Sequence, residues 1–189
     1  AIRAKNIPHV IDYLKKENAF YRALRIAALT SYGNLVDAKQ HEAMLKSELE
    51  SLAKDIDSSP HGLLEDYPGE CYPSDVLMAL LAIKRADKLL GTDHSAMLER
   101  AKRGFSGALL DSHGLVPYSA DTLKGVVTGE SRGCGNSYVS FTAPYLWPEE
   151  AKRWYDLYEK HFLQQKLGAP GFREFAKDVL GSVWFKDVE

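Results

Sequence analysis

The stretch Ser74-Asp75-Val76-Leu77-Met78-Ala79-Leu80-Leu81-Ala82-Ile83-Lys84-Arg85-Ala86-Asp87-Lys88-Leu89-Leu90-Gly91 decides the fold. Ser74 has the chemistry of an N-cap, and Gly91 suits the left-handed position that ends a helix. Between them the first two turns are apolar on every side, while Lys84, Arg85, Asp87 and Lys88 reach toward solvent at the far end. A helix of this profile is expected to enter a packed centre with other helices around it. The following segment, opened by Asp93 and running to about Leu110, has Met97, Ala101, Phe105 and Leu109 in steps of four on one face, opposite Glu99, Lys102 and Arg103. It reads as an outer, amphipathic partner.

Working outward, the pattern of inner and outer helices repeats. From Ile7 to Tyr32, Val10, Ile11, Leu14, Phe20, Leu24, Ala27 and Ala28 predict one or two helices, with Lys15-Lys16-Glu17-Asn18 as a break. From Val36 to Ile56, Met44, Leu45, Leu49, Leu52 and Ile56 form the buried stripe of a charged helix. Asp111–Gly135 is rich in turn residues, with β-prone pieces at Leu115–Ser119 and Val126–Thr128, and predicts a small β excursion. Asn136–Leu146 reads as a helix, and Trp147-Pro148-Glu149-Glu150 opens another whose buried face is Ala151, Trp154, Tyr155, Tyr158 and Phe162. The Gly171–Phe175 segment is expected to be extended, and Val183-Trp184-Phe185 is a short apolar run. The fold class that follows is all-α, with stacked helical hairpins forming an arc or toroid, and a four-helix bundle as the alternative.

Composition limits the function classes. The 189 residues are 45% hydrophobic and 26% charged and are expected to form one unit. A net charge of −2 supplies no global field for nucleic acid or acidic lipid. Val76–Ile83 is the longest apolar run, and Ala1-Ile2-Arg3-Ala4 does not read as a signal peptide, so a soluble chain is expected. Cys71 and Cys134 lack zinc-ligand spacing, and His41, His61, His94 and His161 show none with one another, so no metal or other cofactor is expected.

Two loops carry the chemistry. Glu65-Asp66-Tyr67-Pro68-Gly69-Glu70-Cys71-Tyr72-Pro73-Ser74-Asp75 gathers carboxylates, phenols and a thiol just before the most buried helix start. Carboxylates beside tyrosines in a half-buried cleft divide acid and base work when their pKa values are pushed apart. Glu70 or Asp75 is the expected base, with Asp75 favoured in its ionised form by the helix dipole. Tyr72, Tyr118 or His113 is the expected acid, and Cys71 is a further catalytic candidate. Asp66 and Tyr67 are assigned to substrate binding. In the second loop, Glu130-Ser131-Arg132-Gly133-Cys134-Gly135-Asn136-Ser137, Arg132 is placed to clamp an oxygen-bearing group, and Asn136 to cap a helix or donate to an oxyanion. Cys134 and Glu174 complete the expected binding set. Against these stand plainer readings: a Pro-Gly turn, packed tyrosines, inert cysteines and an exposed Arg173–Glu174 pair.

Four of these segments, Tyr67–Asp75, Arg132–Ser137, the Pro148 helix with Tyr155 and Phe162, and Gly171-Phe172-Arg173-Glu174-Phe175, resemble linalool dehydratase/isomerase-like proteins. The similarity spans about residues 60–189. It implies an (α/α)6 barrel of six helical hairpins around a pocket, and cofactor-independent acid–base chemistry by carboxylate, Tyr, His and Cys side chains on a small-molecule substrate. It also implies an extracytoplasmic location and a homo-oligomer. A ring of twelve helices needs more residues than this chain has, so the chain is expected to be a fragment, to be completed by a partner chain, or to form an incomplete ring. Linalool itself is not indicated as substrate. Two further readings stay open: a glycoside hydrolase or polysaccharide lyase, and a non-catalytic helical scaffold binding a glycan, peptide or partner chain.

Overall fold

A computed structural model describes residues 18–36, 39–166 and 168–179. The beginning of the first predicted helix, with Val10, Ile11 and Leu14, and the Val183-Trp184-Phe185 run lie outside the described residues. Helix α1, Ala19–Leu35, begins where Asn18 accepts a hydrogen bond from the Tyr21 amide at 2.8 Å. The polar run ending at Asn18 thus supplies a cap. Helix α2, Lys39–Ser58, returns antiparallel to it: Arg22 reaches Ser51 at 3.1 Å and Asp55 at 2.9 Å, and Arg25 reaches Glu48 at 2.8 Å. Leu45, Leu49, Leu52 and Ile56 are buried as expected, but Met44 turns outward, 48% exposed, because the stripe follows steps of four and three from Leu45.

Helix α3, Pro73–Leu90, starts two residues earlier than the Ser74 cap predicts. Tyr72 occupies the cap and Pro73 the first helical position, where its fixed φ and missing N–H cost nothing. Gly91 ends the helix at φ 68°, as expected. Val76, Leu77, Leu80 and Ile83 have no exposed surface, and Ala79, Leu81 and Ala82 are also buried. Each large side chain buried here contributes about 1.5–3 kcal/mol, so this helix dominates the core. Asp87 then ties its end to the next helix, accepting from Thr92 Oγ1 at 2.6 Å and the His94 amide at 3.0 Å.

Helix α4, Ser95–Phe105, has His94 at its cap position, while Asp93 accepts from the Ser95 amide at 2.9 Å. It stops short of Leu110: the amides of Gly107 and Leu109 both turn back to the carbonyl of Gly104. The expected excursion holds an antiparallel hairpin of β1, Ser119–Asp121, and β2, Val126–Gly129, with a bulge between Ser119 and Ala120; β2 covers the expected Val126–Thr128 piece, but β1 shares only Ser119 with the expected Leu115–Ser119. Helix α5, Gly133–Leu146, and helix α6, Pro148–Phe162, form the third helical hairpin. Ala151, Trp154, Tyr158 and Phe162 of α6 are buried, but Tyr155 is 41% exposed and meets Phe172 at the surface. A second small hairpin, β3 (Leu163–Lys166) with β4 (Ala169–Phe172), includes only the first part of the predicted extended segment.

The first, third and fifth helices run parallel, with α3 in the middle. The Ala19 amide donates to the Glu65 carbonyl at 3.1 Å, just ahead of α3, while Gly33 lies against Leu89 near the end of α3. On the other flank Gly135 lies beside Ser74, and Lys84 donates to the Tyr145 carbonyl at 2.8 Å. Outside them, Arg100 bonds Asp57 at 2.8 Å and His94 approaches Glu50 at 3.6 Å, so α2 and α4 also run in one direction. Three hairpins in two layers result, mainly α-helical as expected. Among the described residues no helix is long and apolar enough to cross a membrane.

Candidate functional site

Parallel inner helices place three N-termini at one end of the molecule, and both chemistry-bearing loops lie at that end. Tyr67–Glu70 turns tightly, with the Glu70 amide donating to the Tyr67 carbonyl at 2.8 Å and Gly69 at φ 80°, a conformation that favours glycine. The strand-like Cys71 then pairs with the excursion, its carbonyl accepting from the Ala120 amide at 3.1 Å. That pairing brings Tyr72 against Tyr118, ring centroids 5.2 Å apart.

Asp66 sits at the centre, only 5% exposed. One carboxylate oxygen accepts from the Phe20 amide of α1 at 2.9 Å and the other from the Tyr72 amide at 3.3 Å. Burial outweighs those two hydrogen bonds and raises its pKa to about 6. Asp75, half-buried in the first turn of α3, is pushed up to about 7 by burial and by the nearby charge of Asp66, against a weaker hydrogen bond from Ser74. The dipole argument for an ionised Asp75 is therefore overturned, since desolvation and a like charge act more strongly than the helix terminus. Two carboxyls consequently change charge close to neutrality.

The phenols and the guanidinium complete the surroundings. Tyr72 donates to Glu70 at 2.6 Å, and this bond, with burial and Tyr118, raises the phenol pKa and keeps it protonated. Glu70 is exposed. Tyr67 stands at the edge, 41% exposed, with its ring 6.5 Å from Tyr72. The Arg132 guanidinium carbon is 3.9 Å from the Tyr118 ring centroid and 5.4 Å from that of Phe175. Held between two rings, its N–H groups meet no carboxylate among the described residues. They remain free for an oxygen-bearing ligand.

Cys134, exposed at the start of α5, donates its thiol to Glu174 at 3.3 Å, and its amide donates to the same carboxylate at 3.0 Å. Burial and Glu174 raise the thiol pKa. The contact depends on Gly133, where a Cβ would collide with the Arg173 carbonyl. The expected role of Asn136 is corrected: it lies inside α5, 1% exposed, and its amide donates to the Arg132 carbonyl at 3.0 Å. Cys71 is likewise corrected as a catalytic thiol. It is 1% exposed, and burial with Asp66, Glu65 and Asp75 drives its pKa upward, which disfavours the thiolate a nucleophile needs.

His113 belongs to a different cluster. Its Nε2 lies 2.9 Å from Asp178, its ring centroid is 4.6 Å from that of His161, and Asp111 and Glu130 lie beyond its Nδ1. Burial opposes its protonation, but the hydrogen bond to Asp178 and the surrounding carboxylates prevail and raise its pKa. Sequence reasoning missed this grouping because His113 and His161 belong to a loop and a distant helix end, with no short spacing to reveal them. Glu65, offered by the sequence only as one carboxylate of the loop, fastens both the turn, through the Gly69 amide at 2.9 Å, and Thr122 at 3.4 Å. No protein-family model and no curated protein matches this chain.

Proposed function

We propose that the three hairpins are a sector of an (α/α) toroid and that the chain acts as a linalool dehydratase/isomerase-like enzyme, a cofactor-independent lyase or isomerase for a small oxygen-bearing substrate. The observation that carries this reading is the Asp66–Asp75 pair, two carboxyls titrating at about 6 and about 7 at the end where Tyr72, Tyr118 and Arg132 converge. In an elimination, Asp75 donates its proton to the departing hydroxyl, which leaves as water. The Tyr72–Glu70 pair takes up a proton from the neighbouring carbon as the C=C bond forms, and hydration is the reverse. Arg132 orients the substrate oxygen. Asp66, with both oxygens held by backbone amides, sets the charge state of Asp75 and is a positioning residue.

The test is dehydration and isomerisation of a panel of tertiary and allylic alcohols, followed by gas chromatography. Asp75→Asn is expected to lower kcat about 10²–10⁴-fold, as loss of a general acid does, and Tyr72→Phe to lower it less. Undiminished turnover by Asp75→Asn would contradict the assignment.

One observation favours a second reading, a scaffold for a partner chain. Tyr138, Phe141 and Tyr145 form an exposed stripe on α5, at 46%, 57% and 56% exposure, with the Arg85 guanidinium of α3 5.0 Å from the Tyr145 ring centroid. A partner supplying further hairpins would cover it. Sedimentation velocity decides: a larger assembly that Phe141→Glu dissolves supports this reading, and a monomer at all concentrations opposes it.

A further inference from the structure

We propose that His113, His161 and Asp178 form a zinc-binding site, separate from the acid–base site, that fastens the Arg173–Val179 segment to the end of α6 and to the loop before β1. One ligand atom from each of the three lies within 4.8 Å of the other two. Tetrahedral zinc with bonds of about 2.0–2.2 Å needs donors about 3.3 Å apart, so modest side-chain movement closes the site. Two imidazoles and one carboxylate, with water in the fourth position, are a donor set suited to Zn2+.

The second observation is the state of the His113 ring. Its side chain is only 9% exposed, and Nδ1 is buried without a hydrogen-bond partner. That atom faces Asp111 at 3.7 Å and Glu130 at 3.8 Å. Asp111 is already committed to the backbone, accepting from the His113 and Leu115 amides at 2.9 Å each and from the Ser131 amide at 2.9 Å. The two carboxylates thus suit an outer role: a small shift of the ring would let one of them accept the Nδ1 proton and leave Nε2 with its lone pair directed at the metal, the arrangement that orients histidine ligands in zinc proteins. Asp178, now hydrogen-bonded to Nε2, would exchange that bond for the metal.

The backbone already brings the segment to this place. The Arg173 amide donates to the Phe162 carbonyl at 3.0 Å, and the Lys177 amide to the His161 carbonyl at 2.9 Å. Between these anchors lie Glu174 and Phe175, which touch Cys134 and Arg132. Zinc at Asp178 would therefore hold in position the two residues that touch Cys134 and Arg132, without taking part in the acid–base chemistry.

The experiment is calorimetric titration of the chelator-treated chain with Zn2+ alone, with the visible spectrum of the Co2+ form as second readout. One equivalent is expected to bind, with the intense absorption of a four-coordinate Co2+ ion. His161→Ala and Asp178→Asn, both at solvent-accessible positions, are expected to weaken binding at least ~100-fold, and Glu130→Gln by roughly 10–100-fold through the second shell. Absence of saturable binding to the wild-type chain, or binding unchanged in His161→Ala, would overturn the proposal. Neither readout uses catalytic activity, so failure here leaves the acid–base reading standing, and the converse holds as well.

Discussion

The charge of Asp66 opposes ionisation of Asp75, although neither residue belongs to the same structural element: one lies in the loop that caps the approach to α1, the other in the first turn of α3. Their proximity follows from the loop folding back on the start of α3, where the Asp66 amide donates to the Glu70 carbonyl at 2.9 Å and the Tyr72 amide to the Asp66 carboxylate at 3.3 Å. The pair is costly to the fold, because each carboxyl must lose its hydration to sit there. In the proposed enzyme that cost is borne for the acid–base chemistry.

The cost has a sign that can be measured. Both carboxyls have folded pKa values above their usual ones, so their contribution favours the folded state fully below about pH 4 and is lost as pH rises through about 6 and about 7. Asp75→Asn removes the ionisable group with little change of shape. At pH 8 it is expected to stabilise the protein by on the order of 1–2 kcal/mol, after allowance for partial solvent screening, with little gain at pH 4. Urea unfolding at the two pH values checks this; a variant less stable than wild type at pH 8 would contradict it.

The two cysteines should separate by reactivity. Cys71, buried and protonated, is expected to resist a thiol reagent until the chain unfolds, whereas exposed Cys134 reacts in the native protein. Burial and the Glu174 carboxylate hold the Cys134 thiol above its ordinary pKa. Glu174→Gln removes the charge, and the native reaction at pH 8 is expected to accelerate severalfold. An unchanged rate would mean that Glu174 does not govern the thiol.

Gly133 is expected to tolerate no side chain. The backbone carbonyl of Arg173 occupies the space of a Cβ, and its neighbour Glu174 accepts the Gly133 amide at 2.8 Å through its own carbonyl. Gly133→Ala must push the Arg173–Phe175 segment away, at about 1–3 kcal/mol in thermal or urea unfolding. It should also free the Cys134 thiol from Glu174 and quicken its modification. Wild-type stability with an unchanged thiol rate would refute the close approach.

Much of the scaffold was legible because α3 announces itself: an apolar surface on all sides requires neighbours on all sides, and amphipathic α2, α4 and α6 are the outer helices that supply part of that cover. Ends were less legible. Ser74 and Pro73 are both good start signals, and the proline, with φ already set, took the first helical position. Met44 and Tyr155 sit at the borders of apolar stripes, where a small rotation of the helix decides exposure. The two loops were recognisable as chemical by their residue types, but the raised pKa of Asp75 depends on Asp66 and burial between helices, neither of which a dipole argument contains. Asn136 shows the same limit, being an attractive cap by type that the helix start at Gly133 placed in the interior.

The most direct test of the acid–base site is a carbon-detected NMR titration of the aspartate side-chain carboxyls, with Asp66→Asn and Asp75→Asn identifying the two resonances. Midpoints of about 6 for Asp66 and about 7 for Asp75 are expected, with the Asp75 midpoint falling in Asp66→Asn because a neighbouring charge is gone. Midpoints for both near the ordinary aspartate value of about 4, unaffected by each other's replacement, would contradict it.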